Sequence, residues 1–337
     1  MLISVVVPTR NRPRDVAKLL ESIQKQTRMP DELIIVDQSP DSISHLLFAN
    51  EMGSRYAYVH SSEIKGVSRA RNAGIALAKG DVVIFLDDDV VLSPDCLEQM
   101  EAAFEANPEY AGIGGVELQM EHSATSYILY YDIFFLGPFR DPKYRISRSW
   151  RNLSGIQRCT SLKTCLAGFR REFLERHRFD ERWRSALLED VDLCWTERGR
   201  AKFGVWPKAS IWHSISEVRT TGGTGYRATG SAWAFFMRKH LRREWPLLPL
   251  YAWLWVGLWV NALRRSLASR SAAPLGGLLR GGMSWFRPAF ALPFIDMAAE
   301  PFPVRPPDAL LREPGCEACA RSEQLQQRDY REAGQHH

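Results

Sequence analysis

The first half of the sequence predicts an α/β protein built on a doubly wound sheet. Short, β-branched apolar runs alternate there with segments whose apolar residues recur at helical spacing. The runs are apolar throughout, as expected of strands buried on both faces. Acidic residues follow two of the runs directly, and ligands of such sheets lie beyond the carboxyl ends of the strands.

Ile3 to Val7 is the first run. Arg14 to Gln26 carries Val16, Leu19, Leu20 and Ile23, which is helical spacing. Leu33 to Val36 is the second strand, and Tyr58 to His60 is a weaker third. Ser68 is expected to cap a helix running to Ala78, with Gly80 stopping it. Val82 to Leu86 is a fourth run that ends abruptly in Asp87, Asp88 and Asp89. Pro94 to Ala106 returns to helix. From Gly112 to Trp212 the pattern is mixed: Thr164 to Phe169 and Ala209 to Trp212 read as strands, Glu189 to Arg198 as helix. Arg227 to Arg243 is helical, and Pro246 to Leu263 is an uncharged run rich in Leu and Trp. From Pro301 onward the chain is rich in Pro and charge and is expected to be poorly ordered.

The 337 residues suffice for one large core and an appendage. With 45% hydrophobic and 25% charged residues, the composition is that of a folded globular protein. A formal net charge of +5 suits an anionic substrate or an anionic membrane surface and alone selects neither. Cysteines 96, 159, 165, 194, 316 and 319 lack the spacing of a disulfide scaffold, so a reducing compartment is expected. Cys316 and Cys319 form one CxxC without the second pair that a zinc site needs. The apolar stretch Met1 to Pro8 is cut short by Arg10, Arg12 and Arg14, which is not a signal-peptide pattern.

Three adjacent aspartates after a buried strand repel one another, and a divalent cation relieves the repulsion. Oxygen ligands suit Mg²⁺ or Mn²⁺, and such an ion can also hold a diphosphate. The alternative is a solvated acidic turn. Asp37 after the second strand can accept bonds from a ribose hydroxyl or a base N–H, or simply begin the turn Asp37–Pro40. Pro8, Thr9 and Arg10 follow the first strand, where a nucleotide would also lie. Arg71 is suited to a phosphate by its guanidinium fork, or is an exposed helical arginine. Glu189 and Asp190 open a helix, where the dipole alone favours acids. Their functional reading is general-base catalysis on an acceptor hydroxyl, with Asp180, Glu181 and Asp192 as rivals. His213 ends a strand and can complete a metal shell or be structural.

Taken in order, these segments resemble a family 2 glycosyltransferase of the GT-A fold. The matching stretches are VVVPTRNRP (Val5–Pro13), ELIIVDQSPD (Glu32–Asp41), GVSRARNAGIALAKGD (Gly66–Asp81), FLDDDVVLSPD (Phe85–Asp95), CLAGFRREFL (Cys165–Leu174), FDERW (Phe179–Trp183) and LEDVDLCWTERG (Leu188–Gly199). The resemblance covers roughly residues 1–245 and implies inverting transfer from a nucleotide-diphosphate sugar. It implies that Asp37 contacts the base, Asp87 the ribose or sugar, and Asp89 the metal, with Asp88 adjacent. It makes Asp190 the catalytic base, with Glu189 beside it on the acceptor side, and matches His213 to a metal or diphosphate position. Residues 1–110 and 111–225 are then the donor and acceptor halves of one domain, 226–300 a helical membrane-associated extension, and 301–337 a tail. The Q-x-x-R-W motif of processive members is missing: Arg182 and Trp183 precede the acidic pair, and Phe179 stands where Gln is needed. A single-addition transferase is therefore expected. A nucleotidyltransferase would want a Gly-rich loop after the first strand, where PTRNRP has no glycine; a non-catalytic homologue that only binds nucleotide sugar is the other alternative.

In Pro246 to Leu263, Tyr251, Trp255 and Trp259 recur every four residues, with Trp253 beside them, and both flanks are basic: Arg242 and Arg243, Arg264 and Arg265. Aromatic rings favour the headgroup zone, and basic flanks on both sides favour a helix lying on the cytoplasmic face of the membrane over one spanning it; a buried core or dimer-forming helix is the structural alternative. The run Trp285 to Ile295 is expected to add contact. A saccharide or lipid-linked saccharide acceptor fits such a helix; nucleic acid is not an expected partner.

Overall fold

The computed structural model describes residues 1–43, 56–122, 125–183, 186–213 and 223–286. Strands β1 (Ile3–Thr9), β2 (Glu32–Asp37), β3 (Tyr56–His60) and β4 (Val82–Leu86) pair in parallel, in the order β3-β2-β1-β4. Every residue of β1 and β4 is buried, which is why both runs are apolar with little alternation. Helices α1 (Pro13–Gln24) and α2 (Val67–Leu77) are the crossovers on either face. Gly66, not Ser68, begins α2: its φ of 101° is open to glycine, and its N–H donates to Gln38 Oε1 at 3.0 Å. Ser68 lies within the first turn, buried, and makes no cap.

Beyond β4 the sheet becomes mixed. Short β5 (Val90–Leu92) and helix α3 (Cys96–Ala106) lead to β6 (Tyr110–Glu117). Helices α4 (Thr125–Phe134) and α5 (Lys143–Ser149) follow, then β7 (Gln157–Cys159), β8 (Leu166–Arg170), α6 (Arg171–Arg176), α7 (Glu189–Thr196) and β9 (Lys202–His213). Among the described residues the sheet has nine strands, continuing β4-β8-β6-β9-β5, with β7 beside β9. β8 runs antiparallel to both β4 and β6, whereas β6 and β9 are parallel. The sheet is continuous through residue 110, which opens β6. The β6–β9 register shifts between Tyr110 and Gly112 and between Gly114 and Val116, and the end of β9 also pairs with β5, setting His213 opposite Val90.

One apolar cluster joins α1 and α3 to the sheet through Leu19, Ile23, Leu97 and Phe104. A second, on the opposite face, joins α2, α6 and α7 through Ala70, Ile75, Phe173 and Leu193. A third belongs to the C-terminal helices α8 (Gly223–His240), α9 (Leu248–Ser269) and α10 (Ala273–Gly282). There Phe139, Trp195, Phe236, Tyr251 and Leu254 pack together. α8 and α10 approach backbone to backbone; a Cβ on Gly230 would lie 2.7 Å from the Leu278 carbonyl oxygen.

Two expectations for α9 change. Tyr251 is fully buried, with its ring against Phe139 at 4.7 Å, so it belongs to the core and not to a headgroup zone. Trp255 is half-buried beside α10. Trp253 and Trp259 stay exposed. The tail from Pro301, Cys316 and Cys319, and all of Trp285 to Ile295 beyond Phe286 lie outside the described residues.

Candidate active site

The carboxyl ends of β1 and β4 and the end of β9 meet at one edge of the sheet. The three aspartates after β4 diverge as the chain turns into β5. Asp88 points inward: its carboxylate accepts from Thr9 Oγ1 at 2.8 Å and pairs with Arg12 at 2.8 Å. Burial pushes its carboxyl up to about 6, Arg12 opposing and Asp89 adding to the rise. Asp89 is also buried, between Arg12 at 3.2 Å and His213 Nε2 at 2.9 Å. Asp87 is more open and pairs with Arg71 at 3.1 Å.

Asp87, Asp89 and His213 each offer one ligand atom within 4.8 Å of the others. Two carboxylates and an imidazole make a mixed oxygen and nitrogen donor set that fits Mn²⁺ or Mg²⁺. Asp88 and Asp89 are buried, so the aspartate run is not a solvated turn. Asp87 and Asp89 are the two aspartates that converge on His213, whereas Asp88 turns to Thr9 and Arg12.

His213 is held on its far side as well. Its Nδ1 lies 3.3 Å from Glu117 Oε2, and its backbone N–H donates to Gln119 Oε1 at 3.1 Å. Burial alone would lower the imidazole pKa, but bonds to Asp89, Cys165 and Glu117 outweigh it and push it up to about 12. Glu117 in turn pairs with Lys163. Its carboxyl falls to about 2: burial opposes the fall, and His213 and Lys163 outweigh it.

Arg71 is buried between Asp87 and Glu189, 2.6 Å from Glu189 Oε1, with the guanidinium 5.5 Å from the Phe179 ring. It is neither an exposed helical arginine nor an open fork; both of its Nη atoms are engaged by carboxylates. Glu189 and Asp190 open α7 as expected, and Leu188 before them takes a left-handed φ of 66°. Such strain persists only where surrounding contacts fix it, and it often marks functional turns. Glu189 is buried, and its Oε2 has no partner among the described residues. Burial and the neighbouring Asp190 push its carboxyl up to about 7 against the pull of Arg71. Asp190 is half-buried and accepts from the N–H groups of Val191 at 2.7 Å and Thr164 at 3.4 Å.

The rivals of this pair are engaged elsewhere. Asp192 is held by Lys239 at 2.6 Å and His240 at 2.7 Å, and Asp180 by Arg182 and Lys239. Glu181 is exposed and pairs with Arg69.

Asp37 sits at the end of β2, fully buried. Its carboxylate accepts from Ser39 N–H at 2.9 Å, Tyr58 Oη–H at 2.7 Å and Ile43 N–H at 3.3 Å. The Ser39 bond is the turn that the sequence offered as one reading of this residue. Pro8 and Thr9 are buried, Thr9 bonded to Asp88, and Arg10 is half-buried. Arg12 and Glu117 are the site residues that sequence reading missed. Arg12 stood inside the resembling VVVPTRNRP stretch, whereas Glu117 had no local signal.

A family model described as glycosyl transferase family 2 matches residues 4–178. The uncharacterized glycosyltransferase YwdF of Bacillus subtilis is 37% identical over 105 residues, 31% of this chain and 39% of that protein. The glucosyl-dolichyl phosphate glucuronosyltransferase of Haloferax volcanii is 34% identical over 120 residues, 34% of this chain and 38% of its own. The chain thus matches less than two-fifths of the length of either relative. Among solved structures, the mannosyltransferase PcManGT of Pyrobaculum calidifontis, in complex with GDP-Man and Mn²⁺, superposes with a TM-score of 0.52 at 16% identity. That match covers 84% of this chain and 86% of the other.

Proposed function

Because the chain belongs to glycosyl transferase family 2 and carries its GT-A fold, we propose that it is an inverting, metal-dependent transferase. It moves a sugar from a nucleotide-diphosphate donor to a hydroxyl of a saccharide acceptor. The observation that carries this reading is the meeting of Asp87, Asp89 and His213 within 4.8 Å at the sheet edge. Arg71 links Asp87 to Glu189 at the head of α7, so the cation-binding group and the acidic pair share one rigid frame.

In this reading Asp87, Asp89 and His213 hold Mn²⁺ or Mg²⁺, which supplies charge stabilisation to the departing diphosphate. Thr9 and Arg12 fix the Asp88 carboxylate, which keeps the turn after β4 in place. Arg71 acts by holding Asp87 and Glu189 apart at a set distance. Asp190 accepts the proton of the attacking hydroxyl, and Glu189, buried beside it, shapes the acceptor side. Asp37 closes the donor pocket beyond β2, where a nucleoside base lies in sheets of this kind. A lipid-linked acceptor is favoured by the exposed apolar face of α9, and the membrane is reached from its cytoplasmic side. The Haloferax relative, a glucosyl-dolichyl phosphate glucuronosyltransferase, is named for a lipid-linked substrate of its own.

Purified protein incubated with a panel of nucleotide-diphosphate sugars and Mn²⁺ should release nucleoside diphosphate from one of them. The release should stop in excess chelator and return with fresh Mn²⁺. Asp89→Ala should abolish it while the circular dichroism spectrum stays that of the parent. Undiminished turnover in chelator would remove the metal from the mechanism.

A further inference from the structure

His213 has two ring nitrogens, and the active site uses one. Nε2 faces Asp89 at 2.9 Å. Nδ1 faces Glu117 at 3.3 Å, and Cys165 also hydrogen-bonds the ring. Glu117, Cys165 and His213 form a second group whose ligand atoms lie within 4.8 Å of one another. Glu117 ends β6, Cys165 immediately precedes β8, and His213 ends β9, so neighbouring strands of one sheet fix all three. Glu117 and Cys165 also line a small pocket with Lys143 and Lys163.

We propose that Glu117, Cys165 and His213 Nδ1 form a second metal site, for Zn²⁺ or a cation of like softness. This site competes with the Asp87–Asp89 centre for the same imidazole. The donor chemistry separates the two sites. A thiolate, an imidazole and one carboxylate are a zinc set of three protein ligands with a fourth position open. The Asp87 and Asp89 carboxylates suit a harder ion. Binding forms Zn–S, Zn–N and Zn–O bonds; the thiol and ring protons leave to solvent, and nothing is oxidised. Lys163, which pairs with Glu117, gives up that partner and turns into the pocket it already lines. Two dications on opposite sides of one imidazole repel, so zinc antagonises the harder cation. That last clause rests on the proposed function; the zinc site itself does not.

Cd²⁺ is the probe, added to the full chain carrying Cys316→Ser and Cys319→Ser so that the tail cannot bind it. One equivalent should produce the ultraviolet thiolate-to-metal charge-transfer band. Cys165→Ser should remove the band, and Glu117→Gln should weaken Cd²⁺ binding by about 10–100-fold. A band that is absent, or that survives Cys165→Ser, overturns the site. Should Cys165→Ser not fold, the ¹¹³Cd resonance of the chain that keeps Cys165 decides. A shift typical of one sulfur with nitrogen and oxygen donors supports the site; any other donor set overturns it. Electron paramagnetic resonance of bound Mn²⁺ tests the competition. Equimolar Zn²⁺ should release Mn²⁺ from the parent and not from Cys165→Ser. Release from both, or from neither, overturns the competition. A parent chain that never binds Mn²⁺ counts against the proposed function, while the cadmium band still reads the zinc site.

Discussion

Glu189 and Asp190 are adjacent in sequence and unlike in surroundings. Glu189 is sealed in by Arg71, with its carboxyl pushed up to about 7 by burial and by Asp190. Asp190 is half-buried, and the N–H groups of Val191 and Thr164 orient its oxygens without enclosing them. A base must reach a substrate proton, so accessibility favours Asp190. Asp190→Asn should lower kcat by about 10²–10⁴-fold, the usual contribution of a general base. Donor affinity, measured by calorimetry with nucleoside diphosphate and Mn²⁺, should stay within about threefold of the parent, since a factor that small corresponds to less than 1 kcal/mol. Collapse of that affinity would transfer the role of base to Glu189 and make Asp190 a binding residue. The individual acids were legible in the sequence because each follows a strand or opens a helix. Their pairings were not. Arg71 lies 118 positions from Glu189, and Glu117 lies 96 positions from His213, so no local pattern could join them.

An ionic tie joins helix α7 to α8. Lys239 bridges Asp180 and Asp192 at 2.7 and 2.6 Å, and His240 adds a bond to Asp192. Burial alone would raise the Asp180 carboxyl, but bonds from Arg182 and Lys239 hold it well below the usual carboxylate range. A depressed carboxyl stabilises the folded state above its unfolded pKa of about 3.9, and that stability is lost as pH falls through the window below it. Asp180→Asn should therefore cost about 1–3 kcal/mol near pH 7, the worth of hydrogen bonds to a charged group. Its melting temperature should converge on that of the parent as the pH is lowered below 4. Parallel melting curves that never converge would mean that the effect is steric. At this scale the sequence is readable where burial is two-sided, as in β1, β2 and β4. It is readable only in part where pairing makes the strand. Pro207 and Lys208 interrupt the apolar pattern of β9, so only Ala209 to Trp212 was expected there. Hydrogen bonding to β5, β6 and β7 extends the strand to Lys202–His213. The Ser68 cap failed because Gly66 already provides the backbone turn.

The C-terminal helices serve the core and present a surface at once, which decides how the membrane reading should be tested. Among the described residues one helical stretch, Trp245–Ser269, is long and apolar enough to cross a membrane, and 28% of its apolar window is buried. Its inner face, with Tyr251, Leu254, Leu258 and Ala262, completes the third apolar cluster. A chain ending near Arg243 would strip that cluster and expose Trp195 and Phe236, so truncation would confound folding with docking. The outer face is the informative one. Val256, Trp259, Val260, Leu263 and Leu267 are exposed on α9, and Leu129 and Ile133 on α4, against which α9 packs through Gly257 and Phe134. From Trp245 to Phe286 the charged residues are Arg264, Arg265, Arg270 and Arg280, with no acid among them. An apolar face with only cationic charge suits an anionic bilayer surface, where each basic side chain contributes about 1 kcal/mol. A helix already committed to the core on one side is better suited to lie at the interface than to span it. The triple substitution Trp259→Ser, Leu263→Ser and Leu267→Ser leaves the buried face intact. It should reduce flotation with vesicles containing anionic lipid by about tenfold or more, given about 1.5–3 kcal/mol for each large apolar side chain that leaves water. Raising the salt should weaken binding of the parent without abolishing it, because screening acts on the arginines and not on the apolar contact. If the triple variant floats as well as the parent, this face does not meet lipid, and its exposed side chains await a protein partner or a second copy of the chain.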